Sequence, residues 1–477
     1  MAQTRVNLGE WLPDQPGLVG ALTVAKNCYP RAVGYGPFPN EVEYSNAADQ
    51  NLNNVVAVKD SSGNTRVFAS GSTKLYLLDA ATFNFSNVSG TTYAAVSDKW
   101  RFTQFGTSLI AANGSDTLQV YNVNTSDPFT GLAADAPKAK YVTVVRDFVV
   151  TGNQPDDSTR VQWSGINNEA TWTPSGTTQA DYQDIPDGGQ IQGVTGGEFG
   201  LVLLERSIVR MSYVGTPLVF QFDNISRNLG CYEPNSVIQW QGITYFLGDD
   251  GFYACDGQQV VGIGAEKINR YFFASLKEAD IQQMSAAVDP IRNLVIWGYR
   301  TVDTDYRLLV YHIPTKRWSF VSTTADRIAS SSTPGFTLEQ LDNYSNNLDN
   351  IEVPLDDRVW QGGRLQFAGT KGGKIIVFSG ENKTATFDTS DIETGQSQSM
   401  ITMVKPLVDN GSGSVAVESR LRLDEQVNFG SVTAANSENR VGVRSYGRYH
   451  RIRLQPSGDN WTSAIGVDIE IQGAGSR

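Results

Sequence analysis

The chain has 477 residues, 40% of them apolar and only 18% charged, with 46 Gly and a formal charge of −12. That is the profile of a turn-rich β protein, and it excludes a helical bundle, a disordered chain and a protein that grips nucleic acid through a basic face. The length suits roughly two to four ordinary domains, or one large repeat domain with an appendage.

The acid is unevenly spread. Residues 396–477 carry 9 Lys and Arg against 8 Asp and Glu, so the excess lies on residues 1–395. Cys28, Cys231 and Cys255 have no CxxC spacing and read as buried or free thiols made in a reducing compartment. "MAQTRVNLGEW" holds no apolar core of the roughly 7–15 residues a secretory leader needs. No run approaches the roughly 18 apolar residues of a membrane helix, so no stable membrane insertion is expected.

Residues 1–50 contain five prolines between Pro13 and Pro39 and no sustained period. Proline removes ladder donors, so this segment reads as an extended arm or cap. Residues 51–395 are periodic. "NTRVFASGSTKLYLLDAAT" pairs two strands around "SGST", and "WRFTQFGTSLIAANGSDTLQVYNVNT" does so around "NGSD", with an Asn-Gly turn signal. Five more units follow, and the aromatics of the second paired strand are Tyr76, Tyr121, Trp163, Tyr213, Tyr253, Tyr311 and Phe378. The first five stand 40 to 50 residues apart, the spacing of four-stranded propeller blades. The expected fold is therefore all-β, a propeller of six or seven blade-like units.

The stretch from Asp289 to Val321 reads as part of the sixth unit, with Trp297, Tyr311 and Trp318 as packing residues. Two insertions flank it. "LKEADIQQMSAAV" is expected as a short helix, and residues 322–360 show little strand pattern. Loops of that length in a compact domain usually carry function, so Leu341, Tyr344, Leu348 and Trp360 are candidates for a gate or a subunit contact. From 396 to 477 longer strands predict a C-terminal β-sandwich.

The residues that chemistry needs are sparse. His312 and His450 are the two histidines, too few for a zinc site or a His-dependent triad. "GTKGGKI" misses the phosphate-loop spacing and places Ile375 where Ser or Thr must bind magnesium. "GDDGFYACDG", with Asp249, Asp250 and Asp256, lacks the ligand order of a calcium loop. "WSGINNEATW" resembles a sialidase Asp-box only loosely, with Ile166 and Asn168 in place of its Asp and Gly. No catalytic, cofactor-binding or metal residue is assigned, and the chain is not expected to be an enzyme. The strongest charge cluster is "RVGVRSYGRYHRIR", with five Arg and no acid. Arg448, Arg451 and Arg453 are candidate contacts to an acidic neighbour or a few phosphates; the competing reading is a solvated face of the sandwich.

Four stretches together resemble the tail nozzle, or packaged-DNA stabilisation (tail accessory), proteins of short-tailed bacteriophages. They are "GEWLPDQPGL…NCYPRAVGYGPFP", "RVQWSGINNEATW", "LDDRVWQGGRLQFAG…IIVFSGENKTATFDT" and "YGRYHRIRLQPSGDNWTSAIGVDIEIQ". The resemblance spans nearly the whole chain and rests on the order of weak motifs. It implies a virion protein made in the bacterial host cytoplasm, a propeller subunit of a homohexameric ring below the portal and adaptor. Tail fibre or spike proteins would be further neighbours, and packaged double-stranded DNA would pass through the lumen without specific binding. On that reading Trp11, Tyr29 and Tyr35 anchor the arm at a subunit interface. The alternative is a carbohydrate-binding or cell-surface-binding propeller.

Overall fold

The computed structural model describes residues 2–17, 19–96, 98–334, 351, 360, 362–393 and 398–473. Short Val-, Ile- and aromatic-rich runs, punctuated by Gly and Asn in left-handed turns, fold into seven four-stranded antiparallel blades. Blades one to five span residues 54–87, 101–131, 141–184, 191–226 and 238–262. Blade six pairs Ser285–Asp289, Leu294–Arg300, Tyr306–His312 and Arg317–Thr323. Blade seven pairs Arg327–Ser332, Leu365–Lys371 and Lys374–Asn382, and its outer strand is Pro39–Glu43. The innermost strand of blade seven packs against those of blades six and one, which closes the ring.

Each of the seven aromatics lies on the third strand of its blade. Several reach back to the preceding blade. Tyr121 meets Phe68 at 4.9 Å, Tyr213 meets Phe148 at 5.6 Å and Tyr311 meets Tyr245 at 6.2 Å. Such pairs add about 0.5–1.5 kcal/mol each beyond the area they bury, which accounts for the recurrence of an aromatic at this position. Trp297, Tyr311 and Trp318 are buried packing residues, as the pattern of the sixth unit indicates.

Two expectations for this region are corrected. "LKEADIQQMSAAV" is not one helix: Glu278–Gln283 is a 3₁₀ turn, and Ser285–Asp289 is the innermost strand of blade six. The only α-helix among the described residues precedes it, at Asn269–Ser275. The insertion also starts later than residue 322, because Arg327–Ser332 is the innermost strand of blade seven. Both hidden strands, SAAVD and RIASSS, are built from small residues. Ala and Ser have weak strand preference and give no apolar alternation, so these two strands lack the pattern that marks the others.

Residues 1–50 do not form a separate arm. Ala2–Asn7 pairs along Ser463–Gly473, Leu22–Lys26 pairs with Thr386–Thr389, and Cys28–Pro30 and Tyr35–Pro37 form a hairpin on the same sheet as Ser463–Gly473. Pro30, Pro37 and Pro39 sit at strand ends, where a missing donor is tolerated. With these strands residues 399–473 complete a β-sandwich. One of its sheets continues blade six: Arg317–Thr323, Leu22–Lys26, Thr386–Thr389, Tyr449–Ser457 and Ser412–Arg420 follow one another in a ten-stranded sheet. One apolar core runs from blades five and six into the sandwich, through Phe252, Trp297, Trp318, Phe320, Leu454 and Ile469.

The closing strand is fixed by backbone pairing, with Val377 opposite Val42 and Phe378 opposite Glu41, and by a clasp. The Glu41 carboxylate accepts from Lys383 Nζ at 2.5 Å, Thr324 N at 2.8 Å and Thr323 Oγ1 at 3.1 Å. Burial pushes this carboxyl up, but Lys383 and the Thr324 amide outweigh it and hold it at about 2. The clasp therefore contributes stability that is complete above the usual value of 4.5 and is lost as pH falls through about 2. Glu41→Gln leaves Lys383 buried without its counter-charge, and we expect about 3 kcal/mol of lost stability in urea unfolding. The acid-side loss between these two pH values should also shrink in the variant; unchanged midpoints and an unchanged acid limb would count against the clasp.

Candidate interfaces and the axial cavity

The arm aromatics are placed inside the chain. Trp11 is fully buried, edge-on to Tyr271 at 5.1 Å and beside Phe320 at 5.2 Å, and its indole donates to Thr23 O at 3.1 Å. Tyr35 is fully buried and donates to Gly9 O at 2.9 Å, with the Arg317 guanidinium 4.9 Å from its ring centre. Neither offers surface to a partner, so their expected role as interface anchors does not hold. Tyr29 is half-buried, with Arg292 5.7 Å over its ring. All three hold the N-terminal strands onto blade six and the sandwich.

The arginine cluster is largely spent within the chain. Tyr449–Ser457 lies beside residues 386–393, whose carboxylates meet it in register, with Asp388 opposite Arg453. Arg453 grips Asp388 bidentately at 2.7 and 2.7 Å and stacks 4.4 Å over Phe429. Arg451 holds Asp391 at 2.9 and 3.0 Å, and Arg420 holds the same carboxylate at 2.7 Å. Arg448 meets Glu393 at 3.0 Å. Arg451 and Arg453 are thus held by largely buried carboxylates, whereas the Arg448–Glu393 pair lies at the surface and Arg444 is exposed. The missed signal is "TFDTSDIE", whose acids pair with arginines about sixty residues further on. Arg453→Met leaves the nearly buried Asp388 carboxylate unpaired, which should remove about 3 kcal/mol in chemical denaturation. Arg451→Ser should be far milder because Arg420 stays on Asp391, and equal losses would contradict this assignment.

Of the insertion candidates, Leu341, Tyr344 and Leu348 lie outside the described residues. Trp360 packs, half-buried, against the apolar core between blades one and seven. Among the described residues no group of three or more His, Cys, Asp or Glu is placed to hold a metal ion. His450 is buried across the sandwich, 2.8 Å from Ser399 Oγ and 2.6 Å from Ser419 Oγ.

A charged cluster that the sequence reading did not single out occupies one mouth of the propeller axis. Asp98, Lys99 and Arg101 lead into the inner strand of blade two, Lys140 into that of blade three, and Glu233 and Asn235 precede blade five. Asn235 donates to Asp98 at 3.1 Å and to Gln282 O at 3.1 Å, and accepts from Arg101 at 3.1 Å. Blades two and five are not neighbours in the ring, so these bonds cross the axis. Burial works against the Asp98 charge, yet Arg101 at 3.1 Å and Lys140 at 3.5 Å hold its carboxyl well below the usual range. Burial raises the Glu233 carboxyl.

Beside this network lies a cavity of about 220 Å³ lined by the inner strands of blades one to five, among them Asn54, Lys99, Arg101, Tyr141, Thr195 and Gln239. Lys99 makes no ion pair among the described residues. Burial and the neighbouring Arg101 bring its ammonium down to about 7, against the pull of Asp98 and Glu233. The sequence signal was "SDKWRF", acid and base packed where an inner strand begins. With the folded value near 7 and the usual one at 10.5, the unfolded chain binds the extra proton between them. Lys99 thus costs stability that grows as pH falls through that window. In chloride buffer Lys99→Met should raise Tm at pH 7 and lose this advantage toward pH 10.5; a gain independent of pH would contradict the assignment.

No protein-family model matches the chain. No curated protein matches it. Two similar solved structures are titled "Structure of U3-55K" and "Crystal structure of RRP9 WD40 repeats". Each is 9% identical, with a TM-score of 0.39 over 62% of this chain, and the match covers 90% and 88% of the respective structure. The seven-bladed architecture stands on the strand pairing described above.

Proposed function

We propose that this chain is a non-enzymatic structural subunit of the tail of a short-tailed bacteriophage. Six copies form a ring below the portal and adaptor that retains packaged DNA and conducts it at ejection. The resemblance of the four ordered stretches supports this reading. In the fold those stretches are structural joints: the N-terminal strands, the outer half of blade three, the last strands of blade seven and the strand that carries the arginines.

The observation that carries the proposal is the internal pairing of Arg448, Arg451 and Arg453 in a chain of formal charge −12. Lysines and arginines that are free to replace counterions make a duplex stick, and here Asp388, Asp391 and Glu393 have claimed them. An acidic body repels phosphate, so DNA can move past it. A ring requires heterologous contacts, and a propeller joined to its sandwich by one continuous sheet presents both parts at a set angle.

The test is the mass of the full-length chain, alone and mixed with a portal–adaptor complex. A sixfold species in either condition is expected. A chain that stays at 52.0 kDa in both conditions overturns the ring, and glycan binding by that monomer would favour the receptor-binding alternative.

A further inference from the structure

We propose that the axial mouth of the propeller is a binding site for a small multivalent oxyanion, held by Lys99 and Arg101. This inference is independent of the tail assignment. Its first ground is an imbalance of charge at close quarters. Asp98 already serves Arg101 and Lys140, and the Glu233 carboxylate accepts the backbone N–H of Asn235 at 2.9 Å. Among the described residues no carboxylate oxygen stands within ion-pair distance of Lys99. Arg327, the first residue of the inner strand of blade seven, stands close enough to depress Lys99 further, and its Nη1 is buried with no hydrogen-bond partner.

A buried guanidinium nitrogen without an acceptor has lost hydration that nothing replaces, and a neighbouring water or ion can restore it. The second ground is space. The cavity of about 220 Å³ is lined by Lys99 and Arg101 and by the amide side chains of Asn54 and Gln239. At roughly 30 Å³ per water it has room for one oxyanion and a few waters. The third ground is the nearly buried Tyr141 on the same wall, whose hydroxyl has no partner and whose ring lies 4.6 Å from the Arg101 guanidinium. A tetrahedral oxyanion supplies acceptors in several directions at once and the negative charge that Lys99 lacks.

Because the anion favours the ammonium form of Lys99, binding takes up a proton. Affinity should therefore strengthen as pH falls through about 7. Sulfate is the appropriate probe, since its own charge is constant across this range. With the full-length chain, Tm in sulfate is compared with Tm in chloride at matched ionic strength. We expect a saturable rise, larger at acidic than at alkaline pH and absent from Lys99→Met. A rise that does not saturate, or that persists in the variant, overturns the site.

A measurement on the unaltered chain guards against a variant that folds poorly. Lys99, with much neutral amine at neutral pH, should be acylated quickly by an amine-selective ester, and peptide mass spectrometry locates the product. At about ten times the dissociation constant, sulfate should slow that labelling by about tenfold. Labelling that sulfate leaves unchanged refutes the proposal. Tighter binding of a mononucleotide than of sulfate would assign the oxyanion to a phosphorylated ligand, and equal or weaker binding would assign it to the free ion.

Discussion

A ring of sheets becomes stable when its last blade meets its first, since until then one outer edge and two apolar faces stand in water. In this chain the completing element is Pro39–Glu43, hydrogen-bonded along Lys374–Asn382 from the opposite end of the propeller sequence. The Glu41–Lys383 pair at 9–11% side-chain exposure locks that strand, and Thr323 and Thr324 bring the end of blade six into the same clasp. Pairing so distant in sequence carries a large loop-closure entropy, so it forms only as the apolar faces of the blades are buried together. Chain ends follow the same logic in the sandwich, where Ala2–Asn7 lies along Ser463–Gly473.

Once residues 22–43 are committed to both parts, the propeller and the sandwich share one body. Leu22–Lys26 separates the outer strand of blade six from the sandwich strand Thr386–Thr389, and the sheet passes through without a break. Trp297 and Trp318 stack at 5.7 Å on the propeller side of a core that extends to Leu454 and Ile469. A sheet continuous across a junction and packed on an aromatic core resists bending, because bending would break ladder bonds and open the core together.

Cations meet two different fates in this structure. Along Tyr449–Ser457 each of the arginines at 451 and 453 has a carboxylate in register, so charge is desolvated in bidentate pairs. At the axial mouth the carboxylates are outnumbered, and Lys99 and a nitrogen of Arg327 are left without partners among the described residues. The same medium that strengthens a satisfied pair penalises an unsatisfied ion, which sets the mouth apart from the paired arginines of the sandwich.

Local sequence was sufficient for what depends on nearest neighbours. The turn residues and the aromatics from Tyr76 to Phe378 mark all seven blades, because a third strand presents a large ring to a neighbouring blade. The face alternation around Ile452 and Leu454 is equally local. The inner strands SAAVD and RIASSS were not legible, since their Ala and Ser carry little strand signature, unlike the inner strands YVTVV and NVVAVK. Nor was the destination of the first fifty residues, the neutralisation of Arg451 and Arg453, or the gathering of Lys99, Arg101 and Arg327. The strand pairings and the arginine–carboxylate bonds join groups far apart in the chain, which only the closed ring and sandwich bring together. The sequence by itself thus determined the kind of fold and its repeat; the tertiary structure alone decided which charges are paired and which remain free to bind.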